Sequence, residues 1–288
     1  MSGNLHTPAR IGGVLVLTTA LSLFSSCKLD SMLFNTKKLS SYTLSNLVIP
    51  DSLRTFVSLS SRGKTIYGFY VKSSGVHVTT SGSDSVVTVL YCHGNLESIE
   101  PYWERIELLF RAGYSVFIFD YEGFGMSEGE CSEEALYADG RAALAYVRSR
   151  PDVDQAQIVF YGWSLGAVVA IDLAARQFTP RVLVCESPFA SGEALLQSAT
   201  LIDIPGNIVL KGDYNNAAKI RDVHAPFLLF HGTDDRFIDI TKNGEVIFDN
   251  ANEPKKFIRV PGAGHTTVPW TMGADAYLKA LTDFIAAY

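Results

Sequence analysis

An α/β fold, a mostly parallel sheet covered by helices on both faces, is predicted by three features of the sequence. Short β-rich runs alternate with amphipathic helical stretches from about residue 50 to the C-terminus. Several of those runs are apolar throughout, as strands buried on both faces are. The third feature is the stretch 157–176, QIVFYGWSLGAVVAIDLAAR, where the strand run Ile158 to Tyr161 meets a helical run across Gly162-Trp163-Ser164-Leu165-Gly166. A sharp strand-to-helix turn brings neighbouring backbone so close that side chains at the flanking positions clash, and the two glycines remove that clash. Such a turn lifts Ser164 Oγ clear of the backbone.

Composition narrows the function classes. Of the 288 residues, 47% are hydrophobic and 11% aromatic, ample for a sizeable core. A formal net charge of −6 argues against a nucleic-acid partner, which needs a clustered basic face. No repeat period and no low-complexity tract interrupts the chain. At the N-terminus, Arg10 closes a short leader and Ile11 to Phe24 carries no charge. Fourteen such residues are too few to span a bilayer, which takes about 20, but they suit the hydrophobic region of an export signal. Phe24-Ser25-Ser26-Cys27 follows and resembles a bacterial lipoprotein signal, with Phe24 where Leu is usual. The expected organisation is a signal over 1–26, lipidated Cys27 as the mature N-terminus, a polar tether over 28–50 and one domain over 51–288. The expected location is the bacterial cell envelope, lipid-anchored to a membrane.

The elements follow in order. Leu53–Leu59 and Thr65–Val71, divided by Ser61-Arg62-Gly63-Lys64, predict a hairpin. Val86–Cys92 predicts a strand buried on both faces, followed by His93-Gly94-Asn95-Leu96. Ser98 is expected to cap a helix running through Trp103, Ile106, Leu109 and Phe110 to Gly113. Ser115–Phe119 is the next strand, ending at Asp120 and a Gly-rich loop to Gly129. Ser132 caps a helix whose apolar face is Leu136, Tyr137, Gly140, Ala143, Leu144 and Val147, closed by Arg148, Arg150 and Pro151. Beyond the Ser164 unit come strand Val182–Cys185, a loop-rich stretch over 188–222, and strand Phe227–Phe230. A short helix over Glu245–Asp249, strand Lys256–Val260 and a closing helix over Ala274–Ala287 complete the chain.

Chemistry needs a base for Ser164. The chain has six histidines, His6, His77, His93, His224, His231 and His265, and in a nucleophile–acid–histidine order only His265 lies beyond a plausible acid. Gly262 and Gly264 let its loop carry the imidazole over the sheet edge. Asp234 and Asp235 both follow a buried strand, and Glu186 ends another.

His93-Gly94-Asn95, the Asp120–Gly129 loop, Gly162–Gly166, Glu186-Ser187-Pro188-Phe189, His231-Gly232-Thr233-Asp234-Asp235 and Gly262-Ala263-Gly264-His265 together resemble the α/β-hydrolase superfamily. The chain is most similar to its nearly lidless serine hydrolases, among them acyl-protein depalmitoylases and monoacylglycerol-lipase relatives. The resemblance implies eight strands in order 1-2-4-3-5-6-7-8, the second antiparallel. It places the acid at Asp235, leaving Asp234 a turn or capping residue and Glu186 an outside alternative. It also implies an oxyanion hole from the backbone N–H groups of Leu165 and Asn95. His93 is expected to brace that turn and Asp120 to fix its loop.

In that sheet order a strand separates Cys92 from Cys185, about 10 Å, beyond disulfide reach, so Cys92, Cys131 and Cys185 are expected as free thiols. Trp163, Phe189, Phe237 and Trp270 flank the loops and are candidates to line an acyl groove. The expected partner is a small-molecule or lipid-like acyl ester, with no cofactor and no metal, since no histidine–carboxylate cluster has ligand spacing. Three activities fit: an ester or thioester hydrolase, a peptidase of the same superfamily, and a non-catalytic binding lipoprotein on this scaffold.

Overall fold

The structure, a computed structural model, describes residues 34–73, 75, 86–199 and 212–288. The signal, Cys27 and the first part of the expected tether lie outside the described residues.

Eight strands form one sheet: β1 Arg54–Ser61, β2 Lys64–Val71, β3 Thr88–Cys92, β4 Ser115–Phe119, β5 Ile158–Trp163, β6 Val182–Glu186, β7 Phe227–Gly232 and β8 Lys255–Val260. Their order is β1-β2-β4-β3-β5-β6-β7-β8, with β2 antiparallel to β1 and to β4 and the remaining pairs parallel. The implied order is the observed one. Arg62 and Gly63 both take positive φ, 49° and 74°, so the hairpin turn is two residues long, the tight form whose twist matches the strands.

Strands β3, β4, β5, β6 and β7 are buried along their whole length. Their alternate residues feed two separate cores. Leu90, Phe117 and Phe160 pack on one face, against α2 Glu133–Ser149 and α3 Gly166–Arg176. Val89, Val116 and Val159 pack on the other, against α1 Trp103–Arg111 and the C-terminal helix Ala274–Ala287. Helix α2 begins as expected, with the Ser132 hydroxyl accepting from Ala135 N–H at 3.1 Å. Gly140 lets it approach α3 closely, since a Cβ there would lie 2.4 Å from Val169 Cγ1.

Three expectations need correction. Ser98 accepts from Glu100 N–H at 3.2 Å but caps no α-helix: a single 3₁₀ turn, Glu100–Tyr102, follows with Ile99 at its N-cap, and α1 starts only at Trp103. Pro101 favours that tight turn at the entry. The stretch 188–222 carries helices α4 Gly192–Ala199 and α5 Asn216–Lys219, the latter capped by the Asn215 side chain. The remaining helices are α6 Gly244–Asn250, α7 Val268–Met272 and α8 Ala274–Ala287. Finally, 34–50 does not trail away as a tether. Phe34 and Ile49 are buried, and short bridges tie Thr36 to Glu97 and Lys38 to Gly125.

Cys92 and Cys185 both stand opposite Gly162, on either side of β5, and Cys92, Cys131 and Cys185 are free. Among the described residues, no helix is long and apolar enough to cross a membrane.

Candidate active site

Ser164 sits where β5 hands over to α3, at the carboxyl ends of the central strands, where the sheet order reverses. Its φ is +53°, a conformation costing a non-glycine residue roughly 1–2 kcal/mol. Close packing holds it there. A Cβ on Gly166 would lie 1.9 Å from the Cys92 carbonyl oxygen, and one on Gly162 would lie 2.6 Å from Ala167 Cα. Both glycines are therefore demanded by backbone approach. Ser164 N–H donates to Glu186 O at 2.9 Å, pinning the turn to the neighbouring strand.

The three residues singled out from opposite ends of the chain converge. His265 Nε2 lies 3.0 Å from Ser164 Oγ, and His265 Nδ1 lies 2.8 Å from Asp235 Oδ2. Asp235 Oδ1 accepts from Phe237 N–H at 3.0 Å and Ile238 N–H at 2.8 Å. Burial opposes ionisation of this carboxyl, but donors on His231 and His265, the nearby imidazole and the Ile238 amide outweigh it and hold its pKa well below the ordinary carboxylate range. An ionised carboxylate can only accept, so Nδ1 carries the imidazole proton and Nε2 is left to accept from the Ser164 hydroxyl. Asp234 is exposed and accepts from the Thr233 hydroxyl at 3.0 Å, the bystander's position.

Glu186 is committed elsewhere. Arg105 Nη1 donates to both its oxygens, at 2.8 and 2.9 Å, and Tyr161 and Tyr277 hydroxyls donate to Oε2 at 2.5 and 3.1 Å. Burial, then the charge of Glu186, pushes both phenols well above their ordinary pKa, so they remain donors. Arg105 Nη2 reaches Thr266 O at 2.9 Å, beside His265, and the guanidinium lies 3.9 Å over the Trp163 ring. Sequence reasoning missed Arg105. Its signal was a charge on the apolar face of α1, four residues before Leu109 and beside Ile106.

The loop after β3 closes the other side. A Cβ on Gly94 would lie 3.4 Å from Ser164 Cβ, which sets the His93–Asn95 turn against the serine. The Leu165 backbone stands at the N-cap of α3, where helix N–H groups point outward toward negative charge. Asn95 Oδ1 accepts from Asn35 N–H at 2.9 Å. His93 is fully buried between Tyr102, Tyr121 and Phe124, with Nδ1 2.8 Å from Gly94 O and Nε2 3.2 Å from Asp120 Oδ1. Asp120 Oδ2 accepts from the Tyr42 hydroxyl at 2.6 Å. Both residues brace their loops.

The four aromatic candidates divide. Trp163 (4% exposed) and Phe189 (2%) are packing residues: Trp163 is sandwiched by Arg105 and Tyr102, and Phe189 meets Tyr214. Neither has the free surface a groove wall needs. Phe237 (50%) and Trp270 (44%) are exposed, and the Phe237 ring meets the His265 ring edge-to-face at 5.1 Å. Among the described residues, no group of three or more His, Cys, Asp or Glu is arranged to hold a metal ion.

A hydroxyl, an imidazole and a carboxylate at the carboxyl edge of this eight-stranded sheet define a class of protein that known sequences then specify. The family described as serine aminopeptidase, S33 matches residues 83–205. An uncharacterised Mycobacterium tuberculosis protein, Rv2307c, is 37% identical over 206 residues, 72% of each chain. Human α/β-hydrolase domain-containing protein 17B is 30% identical over 239 residues, 82% of this chain and 76% of its own. Among solved structures, the Pyrococcus furiosus esterase Pf2001 superposes with a TM-score of 0.69 at 18% identity, covering 88% of this chain and 97% of the esterase. The chain belongs to the α/β-hydrolase superfamily.

Proposed function

We propose that the protein is a serine hydrolase that cleaves carboxylic ester or thioester bonds through an acyl-enzyme on Ser164. The observation that carries this reading is the continuous row from Asp235 through His265 to Ser164 Oγ. In the first half-reaction Ser164 Oγ attacks the acyl carbonyl as His265 Nε2 takes its proton. The tetrahedral intermediate collapses, the alcohol or thiol leaves with the proton from Nε2, and the acyl group stays on Oγ. Water then repeats the sequence and releases the acid. Asp235 keeps the proton on Nδ1 and stabilises the imidazolium. The N–H groups of Leu165 and Asn95 receive the oxyanion, each worth about 2.7–4 kcal/mol in the transition state.

Support for an ester comes from the esterase Pf2001 sharing the fold, and the exposed Phe237 beside His265 suits an apolar acyl group. The description serine aminopeptidase favours a second reading, peptide bond cleavage by the same residues. Labelling by a fluorophosphonate probe tests the common core. It is expected on the wild type and absent in Ser164→Ala, which should lose p-nitrophenyl ester turnover by on the order of 10⁴-fold or more. Labelling that persists in Ser164→Ala overturns the assignment, and faster turnover of aminoacyl p-nitroanilides than of esters selects the peptidase. An intact wild-type protein that neither labels nor turns over either class is a binding protein. We also hold lipidation of Cys27 and residence in the bacterial envelope as part of this proposal. Inhibition of lipoprotein processing that leaves the mature mass unchanged removes that part.

A further inference from the structure

We propose that residues 34–39 are a strap that positions the oxyanion loop, acting through the Asn35 backbone N–H on the Asn95 side chain. The inference rests on Asn95 N–H being an oxyanion donor. Four observations carry it. Asn35 N–H donates to Asn95 Oδ1 at 2.9 Å, and Asn35 O accepts from Glu97 N–H at 2.8 Å, so one strap residue grips both ends of the Asn95–Glu97 segment. Glu97 O accepts from Lys37 N–H at 3.4 Å and from Gly125 N–H at 3.2 Å, and Leu39 N–H continues to Gly125 O at 2.9 Å. The strap thus stitches the loop after β3 to the loop after β4. Glu97 has φ +37°, a conformation that a non-glycine residue keeps only where its surroundings over-determine it. Phe34, buried among the core residues under this edge, anchors the start of the strap.

Position is what this grip supplies. An oxyanion donor contributes only when it already stands where negative charge develops, and displacements of about 0.5 Å are enough to weaken it. Asn35 N–H holds the Asn95 side chain, and the preceding residue, Gly94, packs against Ser164. Releasing Oδ1 removes a tie that orients the Asn95 backbone amide. Asn35 is accordingly a positioning residue, and it makes no contact with reacting atoms.

The test uses the full chain. Asn35→Pro removes the donating N–H and leaves Asn95 intact. The expected result is a fall in kcat of roughly 10- to 100-fold on a soluble ester with KM within twofold, because the lost interaction exists only in the transition state. A trifluoromethyl ketone, whose adduct with Ser164 bears an oxyanion, should weaken by the same factor while the melting temperature stays within a few degrees. Folded Asn35→Pro with wild-type kcat, or with lowered kcat and unchanged ketone affinity, overturns the inference. Should Asn35→Pro fail to fold, Asn95→Ala decides by the same readouts, since it keeps the backbone N–H while removing the side chain that Asn35 grips. Failure of the underlying hydrolase reading looks different: Ser164→Ala then keeps its turnover and its label.

Discussion

The two sides of Ser164 are built from different materials. Beneath it and the His265 loop, the floor is a buried charge network, with Arg105 fastened to Glu186 and Thr266 O and two phenols completing the carboxylate. Opposite, the lip is the 93–97 loop: His93 and Gly94 are buried, whereas Asn95–Glu97 lies nearer the surface, tied by hydrogen bonds to the 34–39 strap, to Gly125 N–H and to the Tyr102 hydroxyl. A buried ion pair in low dielectric is costly to break on one side and tolerates little movement. Surface backbone bonds compete with water and yield locally at low cost. The proposed general base His265 and nucleophile Ser164 therefore rest on the rigid side, and the proposed oxyanion donor Asn95 rests on the adjustable one.

Breaking the floor should have the largest effect on stability. Arg105→Ala leaves Glu186 buried without its cation, a loss of about 3–5 kcal/mol. At roughly 2–4 °C per kcal/mol for a domain of this size, calorimetry should record a fall of about 6–20 °C. Arg105→Lys keeps the charge, but one ammonium cannot reproduce the planar fork spanning Glu186 and Thr266 O, so an intermediate loss is expected. A melting temperature for Arg105→Ala within about 2 °C of wild type would remove the floor as a structural joint.

The loop beside the lip carries a pH sensitivity. Asp139, on α2, accepts from Glu122 N–H at 2.7 Å and so supports the 120–129 loop that the strap grips. Burial is the largest influence on its carboxyl and pushes the pKa up to about 6. A carboxyl with a raised folded pKa stabilises most below its unfolded value, about 3.9, and that contribution is lost as pH rises through about 6. Asp139→Asn can still accept from Glu122 N–H and does not ionise. The melting temperature of Asp139→Asn minus that of wild type should therefore grow by several degrees from pH 4 to pH 7.5. A difference constant across that range would show that Asp139 does not carry the effect.

How far these two sides could be read in the sequence follows from how each is encoded. Gly162, Ser164 and Gly166 declare themselves because one local turn demands all three, and the all-apolar runs at 158–161 and 182–185 read as strands buried on both faces. His265 followed from chain order alone. The choice of Asp235 over Asp234 needed the family resemblance, because two adjacent carboxylates differ only in which way a tight turn points them. Glu186 stayed open as an acid until its partner was seen. Arg105 lies 81 residues away in sequence, and nothing local to either residue records the pairing. The 34–50 segment was misread for a related reason. Its Ser, Lys and Thr content resembles a solvated linker, whereas it is attached by backbone hydrogen bonds and by three scattered side chains, Phe34, Tyr42 and Ile49, whose distant partners composition does not encode. Trp163 and Phe189 show the converse, since aromatic identity beside a site does not reveal whether the ring faces the opening or the core.

The same comparison predicts where the acyl chain runs. In the proposed reading the carbonyl oxygen is directed at Leu165 and Asn95, so both remaining substituents of the acyl carbon point away from the lip, the leaving group toward His265 Nε2, which gives it the proton, and the acyl chain beside it. Phe237 stands there, half exposed, with its ring on the imidazole, while Leu96 is the exposed apolar residue of the lip. Phe237→Ala should therefore reduce kcat/KM for an octanoyl ester by roughly tenfold, about 1.4 kcal/mol of lost apolar contact, and leave an acetyl ester nearly unchanged. Leu96→Ala should alter both esters by less than twofold. Equal losses on the two chain lengths in Phe237→Ala would assign the ring to orienting His265 alone. A chain-length effect confined to Leu96→Ala would turn the acyl group around, placing the oxyanion away from the Asn95 loop and removing that loop from the chemistry.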